Sequence, residues 1–140
     1  MTFVDTNVLL DIATDDPTWA PWSLHQLDAA AIRGPVVINA VVYAEFSIGY
    51  ERIEEIDRIL HDVGLELTEI PRSALFLAGK VFQRYRARSS RRSGMLPDFF
   101  IGAHAAVSQL PLLTRDPHRY RTYFPAITLI VPDEAEPTEG

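Results

Sequence analysis

The opening stretch, Met1-Thr2-Phe3-Val4-Asp5-Thr6-Asn7-Val8-Leu9-Leu10-Asp11, constrains the fold more than any other part of the chain. Phe3 and Val4 form an apolar run long enough for one buried strand. Asp5 ends it. Thr6 and Asn7 are turn and cap residues, and Val8, Leu9 and Ile12 follow at helical spacing. A carboxylate therefore stands where a central strand hands over to a helix. In open α/β sheets, ligands bind at that end of the strands. Helix capping alone would be enough work for one Asp, so the rest of the chain decides whether Asp5 does more.

The strand-then-helix pattern repeats. Trp22 to Arg33 reads as a helix with Leu24, Leu27, Ala31 and Ile32 on one face, stopped by Gly34-Pro35. Val36-Val37-Ile38 is a continuous apolar triplet, the pattern of a buried parallel strand. Asn39 then caps a helix carrying Val41, Val42, Glu45, Phe46 and Ile48. The next helix runs from Glu51 to Val63 with an apolar stripe of Ile53, Ile56, Leu60 and Val63, and Gly64 ends it. Leu65 to Ile70 alternates apolar and polar residues, as a strand nearer an edge does. Arg72-Ser73 open a long helix whose buried side is Ala74, Leu75, Ala78, Val81, Phe82 and Tyr85. After a polar loop from Ser89 to Gly94, Pro97 suits the first position of a helix over Asp98 to Val107. Leu112-Leu113-Thr114 is a short strand, Tyr120 to Phe124 a brief helical or irregular link, and Ile127 to Val131 the last strand. Strands alternating with helices predict an α/β fold, with a parallel sheet covered on both faces.

Length and composition narrow the class. At 140 residues the chain is one domain with a single core, read as a folded body over 1–131 and an acidic, disordered tail over 132–140. With no cysteine, disulfides and thiolate metal sites are excluded. The N-terminus lacks the charged and apolar regions of a signal peptide, and no apolar run reaches membrane-spanning length. A reducing cytoplasm is the expected home. The net charge of −6 argues weakly against a nucleic-acid partner, but Asp133, Glu134, Glu136 and Glu139 supply four of those charges, leaving −2 on the body. Arginines crowd two stretches, Arg84 to Arg92 and Arg115 to Arg121. A solvated surface explains them as well as a binding face does.

Four acids fall at telling places. Asp5 follows the first strand, Glu45 lies in the second turn of the helix after the second, Asp98 opens the helix behind the arginine-rich loop, and Asp116 follows the fourth strand. In a parallel sheet the strand-end acids share one edge, and the other two can lean over it. Like charges so close require a cation. Mg²⁺ or Mn²⁺, hard ions that take oxygen ligands, would meet that need. Asp98 gains from the positive end of its own helix. Thr114 and Asn7 are placed to hold carboxylates in position. Singly, each acid has a structural explanation; their joint placement favours a functional one. Asp11, Asp15 and Asp16 lie a helix away from the strand exit and read as surface or turn residues. His104, among alanines, reads as a packed residue and His118 as a turn residue. No Ser-His-Asp set or Gly-rich phosphate loop is present.

These residues resemble a known family. Val4-Asp5-Thr6-Asn7, Tyr43-Ala44-Glu45-Phe46, Pro97-Asp98-Phe99-Phe100-Ile101-Gly102-Ala103-His104-Ala105 and Leu113-Thr114-Arg115-Asp116 resemble the motifs of PIN-domain ribonucleases, and more narrowly VapC-type toxins of toxin–antitoxin pairs. The resemblance runs from Thr2 to about Val131. It implies a three-layer α/β/α sandwich with about five parallel strands. It also implies Mg²⁺- or Mn²⁺-dependent endonucleolytic RNA cleavage, leaving 5′-phosphate and 3′-hydroxyl ends, a homodimer, and an antitoxin whose C-terminal segment covers the cleft. Asp5, Glu45, Asp98 and Asp116 then form the catalytic and metal-binding set, supported by Thr6, Asn7 and Thr114. Arg88, Arg91, Arg92 and Arg115 are the candidate RNA contacts. An antitoxin helix would dock on apolar walls carrying Phe46, Ile48, Ile53 and Ile56. The chain departs in two places: Asn39 stands where Ser or Thr is common, and Gly102 where Ala is usual, which permits closer helix contact.

Two rival classes remain. A signalling receiver domain also gathers acids around Mg²⁺, but it needs a Lys at a late strand end, and the chain's one lysine, Lys80, falls mid-helix. A catalytically silent PIN fold that acts through a protein or nucleic-acid partner is the other; retention of all four acids counts against it.

Overall fold

The computed structural model describes residues 1–88 and 96–132, and of Arg88 the backbone alone. The expected loop from Ser89 to Gly94 with Arg91 and Arg92, and the acidic tail from Asp133 on, lie outside the described residues.

Two or three apolar residues per strand suffice to build the centre. β1 (Thr2–Val4), β2 (Val36–Ile38) and β4 (Leu112–Leu113) are buried on both faces, which is why their sequences are continuous rather than alternating. β3 (Leu65–Leu67) and β5 (Leu129–Ile130) flank them in the order β3-β2-β1-β4-β5. All four pairings are parallel, with Phe3 opposite Val37 and Leu112, and Val4 opposite Leu113. Every strand exit therefore lies on one edge. β3 is an edge strand: its sequence alternates, but only Leu65 is buried, while Glu66 and Leu67 are exposed. Both edge strands are shorter than their sequence patterns suggested.

Seven helices among the described residues flank this five-stranded parallel sheet, giving the α/β/α sandwich. α1 (Thr6–Ala13) leaves β1 directly, and α2 (Ala20–Arg33) packs on it. The buried face of α2 is Ala20, Ser23, Leu27 and Ala30, whereas Leu24 is 49 % and Ile32 87 % exposed. The helix is thus rotated from the expected Leu24–Ile32 face, because small residues let it approach α1. α3 (Ala40–Ser47) begins at Asn39, whose side-chain oxygen accepts the N–H groups of Val41 and Val42. α4 (Ile53–Val63) buries Ile56 and Leu60 and ends at Gly64, in the left-handed region at φ 83°.

α5 (Arg72–Arg88) lies along α6 (Leu96–Ser108). It buries Ala74, Ala78, Val81 and Tyr85 but leaves Leu75 exposed. Tyr85 and Phe99 meet edge-to-face at 5.6 Å, and Tyr123 of α7 (His118–Tyr123) meets Phe99 at 5.1 Å. These contacts pin α6 and α7 together. Gly102 makes the close approach possible: a Cβ there would stand 2.5 Å from the Phe124 ring. His104 is buried, edge-on to Phe3 and 3.1 Å from the Asn39 amide, a packed residue as expected. Among the described residues no helix is long and apolar enough to cross a membrane.

Candidate active site

Asp5 caps α1 and still faces the strand-exit edge. Its Oδ1 accepts the Thr6 N–H at 2.7 Å. Its Oδ2 accepts the hydroxyls of Thr114 at 2.8 Å and Tyr120 at 2.9 Å, with the Asn7 amide at 3.5 Å. Thr114 Oγ1 in turn accepts from the Asn7 amide at 3.2 Å and the Asp116 N–H at 3.1 Å. A hydroxyl has one proton and two lone pairs, so these three bonds saturate it and aim its proton at Asp5. Asn7 Oδ1 also accepts the Arg115 N–H at 3.4 Å. Asn7 and Thr114 thus tie the end of β1 to the loop carrying Asp116.

The remaining acids come from other elements. Glu45, half-buried on α3, accepts the Thr6 hydroxyl at 2.7 Å. Asp98, in the first turn of α6, is bonded by Arg119 Nη1 of α7. Asp116 is exposed. Asp5, Thr6, Asn7, Leu10, Glu45, Ile48, Asp98, Asp116, Arg119 and Tyr120 line one open cleft of about 320 Å³. The four sequence-selected acids therefore border a single cavity at the C-terminal ends of the strands.

Burial pushes the Asp5 carboxyl up to about 6, against the lowering effect of Thr114 and Tyr120 and with further upward push from Asp98. Asp98 is also raised, chiefly by desolvation, with Asp116 adding and Arg119 opposing. Burial, then the charges of Asp5 and Asp98, drive the Tyr120 phenol far above its ordinary value, so it stays a donor. The cleft is thus a place where negative charge is held at a cost. Its lining offers carboxylate oxygens and no imidazole, the donor chemistry of Mg²⁺ or Mn²⁺. Among the described residues, no group of three His, Asp or Glu side chains is arranged to hold a metal ion as the side chains stand, with Asp98 engaged by Arg119.

Three features escaped sequence reasoning. Tyr120 is expected in a brief helical or irregular link, and the structure makes it part of α7, but the burial of its hydroxyl against Asp5 was not foreseen. Arg119 enters the acid cleft. Asp11, expected at the surface, is 2 % exposed. Its Oδ2 accepts Ser23 Oγ at 2.9 Å and Arg115 Nε at 2.7 Å. Its position three residues after Val8, on the same helix face, was the available signal. Arg115 is accordingly committed, its guanidinium lying 5.6 Å over the Trp19 ring. Of the expected docking walls, Phe46 and Ile56 are core residues, while Ile48 and Ile53 are exposed.

A parallel α/β/α sandwich with carboxylates at the strand-exit edge defines a class of acidic-cleft proteins. Within it the PIN domain family matches residues 2–125, and the chain belongs to that family. The fold is similar to that of VapBC2 from Rickettsia felis, solved bound to a promoter DNA fragment: TM-score 0.71, 19 % identity, covering 94 % of this chain and 98 % of that one. It is similar also to a toxin–antitoxin complex from Klebsiella pneumoniae, at TM-score 0.64 and 20 % identity over 91 % and 96 %. VapBC-1 from nontypeable Haemophilus influenzae gives TM-score 0.66 and 16 % identity over 93 % and 96 %. At these identities the likeness is one of fold. No curated protein matches the chain in sequence.

Proposed function

We propose that this protein is a Mg²⁺- or Mn²⁺-dependent endoribonuclease and the toxin of a toxin–antitoxin pair. The observation that carries the reading is the cleft itself, bordered by four carboxylates from separate elements at the strand exits. A bound divalent ion would supply charge to oppose that building on phosphate oxygens and would acidify a water. Asp5 and Asp98 are the principal ligands in this proposal. Glu45 completes the set or takes the proton of the attacking water, and Asp116 serves a second or outer-sphere position. Thr6 orients Glu45, while Thr114, Asn7 and Tyr120 fix Asp5.

The arginines at 88, 91 and 92 would guide the RNA backbone. Arg115 enters by its position beside Asp116 rather than as a free guanidinium. The partners proposed are RNA, an antitoxin and a second copy of the chain, in the cytoplasm. The antitoxin proposal draws on the neighbours, which are themselves toxin–antitoxin complexes, and on Leu10 and Ile48, apolar side chains exposed at the cleft.

Incubating mixed RNAs with the wild type in Mg²⁺ and in EDTA, alongside Asp98→Asn, tests the reading. Cleavage should need Mg²⁺ and vanish in the variant, which keeps the shape and loses the charge, while metal-free stability holds or rises. A folded Asp98→Asn protein cleaving at the wild-type rate would sink the assignment. A silent PIN binding module, the alternative, would show no EDTA-sensitive cleavage at all.

A further inference from the structure

Among the described residues, Arg119 is the cationic side chain lining the acidic cleft, and it stands on α7 next to Tyr120. Its Nη1 donates to Asp98 Oδ2. The pair is partly open to water: the Arg119 side chain is 45 % and that of Asp98 24 % exposed. A solvent-screened ion pair contributes little to stability, so structure alone is a thin reason for it. The contested atom is also one that a hard divalent ion would take. Such an ion concentrates twice the charge in a smaller volume, so on Asp98 it would compete with one guanidinium. The displaced guanidinium cannot go far. α7 is held by Tyr120, which is 2 % exposed and bonded to Asp5, so Arg119 remains at the rim with its planar fork free. That fork matches a phosphate bidentately. Arg115, the other arginine beside the acids, is taken by Asp11 and cannot fill this role.

We propose that Arg119 is an exchangeable phosphate-binding residue, seated on Asp98 when no cation is bound and on a phosphate oxygen of single-stranded RNA when one is. The proposal rests on the nuclease reading and deepens it. Cation and RNA then favour each other through one side chain, and the coupling is reciprocal. The cation opens the RNA subsite by releasing its arginine.

The test measures binding of a ten-nucleotide single-stranded RNA, in EDTA and with Ca²⁺ in place of Mg²⁺, by full-length wild type, Arg119→Ala, Arg119→Lys, Asp98→Asn and the Asp98→Asn/Arg119→Ala double variant. In EDTA, wild type and Arg119→Ala should bind RNA equally, because the arginine is already occupied. With Ca²⁺, Arg119→Ala should bind about tenfold more weakly, the scale of one charge-assisted bond, and Arg119→Lys should recover part of the loss. Arg119→Ala should also bind Ca²⁺ more tightly in the absence of RNA. Asp98→Asn removes the charge that holds the arginine and so loosens it without any metal. In EDTA it should therefore bind RNA about tenfold more tightly than the double variant. Equal RNA binding by wild type and Arg119→Ala in Ca²⁺ would reduce the pair to a surface ion pair. An equal loss in both media would make Arg119 a fixed contact. Either result overturns the exchange. A wild type that binds neither Ca²⁺ nor RNA would instead sink the nuclease reading, and the exchange with it.

Discussion

Tyr120 donates its phenolic hydroxyl to Asp5 Oδ2 across 2.9 Å, joining a side chain from the last helix to the first acid of the chain. Both residues are buried. Asp5 is thereby fixed from two sides, since Thr114 reaches the same oxygen at 2.8 Å. Oδ1 carries the Thr6 N–H bond and keeps acceptor capacity for a further partner.

Tyr120→Phe removes that donor and nothing else. Losing one buried bond to a carboxylate should cost about 1–2 kcal/mol of stability. The hydroxyl lowers the Asp5 pKa, so without it the carboxyl should titrate above the wild-type value of about 6. Carboxyl carbon-13 shifts followed against pH in metal-free protein report this directly. An unmoved Asp5 titration would show that the phenol does not bear on its charge.

Asp5 also governs how metal-free stability depends on pH. Its folded value is about 6 against an ordinary 3.8, so the folded state holds that proton more tightly. Its contribution is fully present below 3.8 and is lost as pH rises through about 6. The decline should amount to about 3 kcal/mol from Asp5, and Asp98, raised as well, adds in the same direction. Asp16 opposes this in acid, because backbone N–H groups of Trp19 and Thr18 hold it below its ordinary value. Thermal melts from pH 4 to 7 in EDTA should fall toward neutrality, and Mg²⁺ should restore stability there by binding the native state. A melting temperature flat across this range would contradict a strained Asp5.

Arg115 separates a structural from an RNA-binding role. It is bonded to an Asp11 that is 2 % exposed, while its own side chain is 31 % exposed. Arg115→Ala leaves the Asp11 charge buried without its cation and should cost about 2–3 kcal/mol. Chemical denaturation measures that loss. Asp11→Asn/Arg115→Ala should recover part of it, because the stranded charge is gone. Full stability in Arg115→Ala would return this arginine to the solvent-facing candidates.

The fold was legible where burial is continuous and local. Phe3-Val4 and Val36-Val37-Ile38 announce strands because both faces are covered. Strand exits mark two acid positions, since Asp5 directly follows β1 and Asp116 comes three residues after β4. The α2 face was misread because Leu24 and Ile32 dominate its apolar content, whereas packing on α1 prefers the smaller Ala20, Ser23 and Ala30. The long-range pairings of Tyr120 and Asp11 were illegible for another reason. Helix periodicity could place Asp11 on the buried face, but Asp5 lies 115 residues from Tyr120 and Arg115 lies 104 from Asp11, and no periodicity encodes a pairing at that range. Glu45 is intermediate: its apolar neighbours signalled a need for a partner, but only the packing of α3 on α1 identifies Thr6.

Gly102 offers a test of how α6 is seated, and with it Asp98. A Cβ at this position would fall 2.5 Å from two carbons of the Phe124 ring, closer than packed atoms tolerate. Phe124 is itself 6 % exposed and meets Phe99 at 6.4 Å, so the ring has little room to turn aside. Gly102→Ala should gain slightly from helix propensity and lose more from overpacking, for a net cost of about 1–3 kcal/mol. The strain falls between α6, which carries Asp98, and α7, which carries Arg119 and Tyr120. Cleft geometry should therefore suffer along with stability, seen as weaker Mg²⁺ binding beside a lower melting temperature. Gly102→Ala/Phe124→Leu removes the ring that the methyl meets and should recover stability relative to Gly102→Ala alone. If the single variant is as stable as wild type, the two helices are not held in the close contact that Gly102 permits.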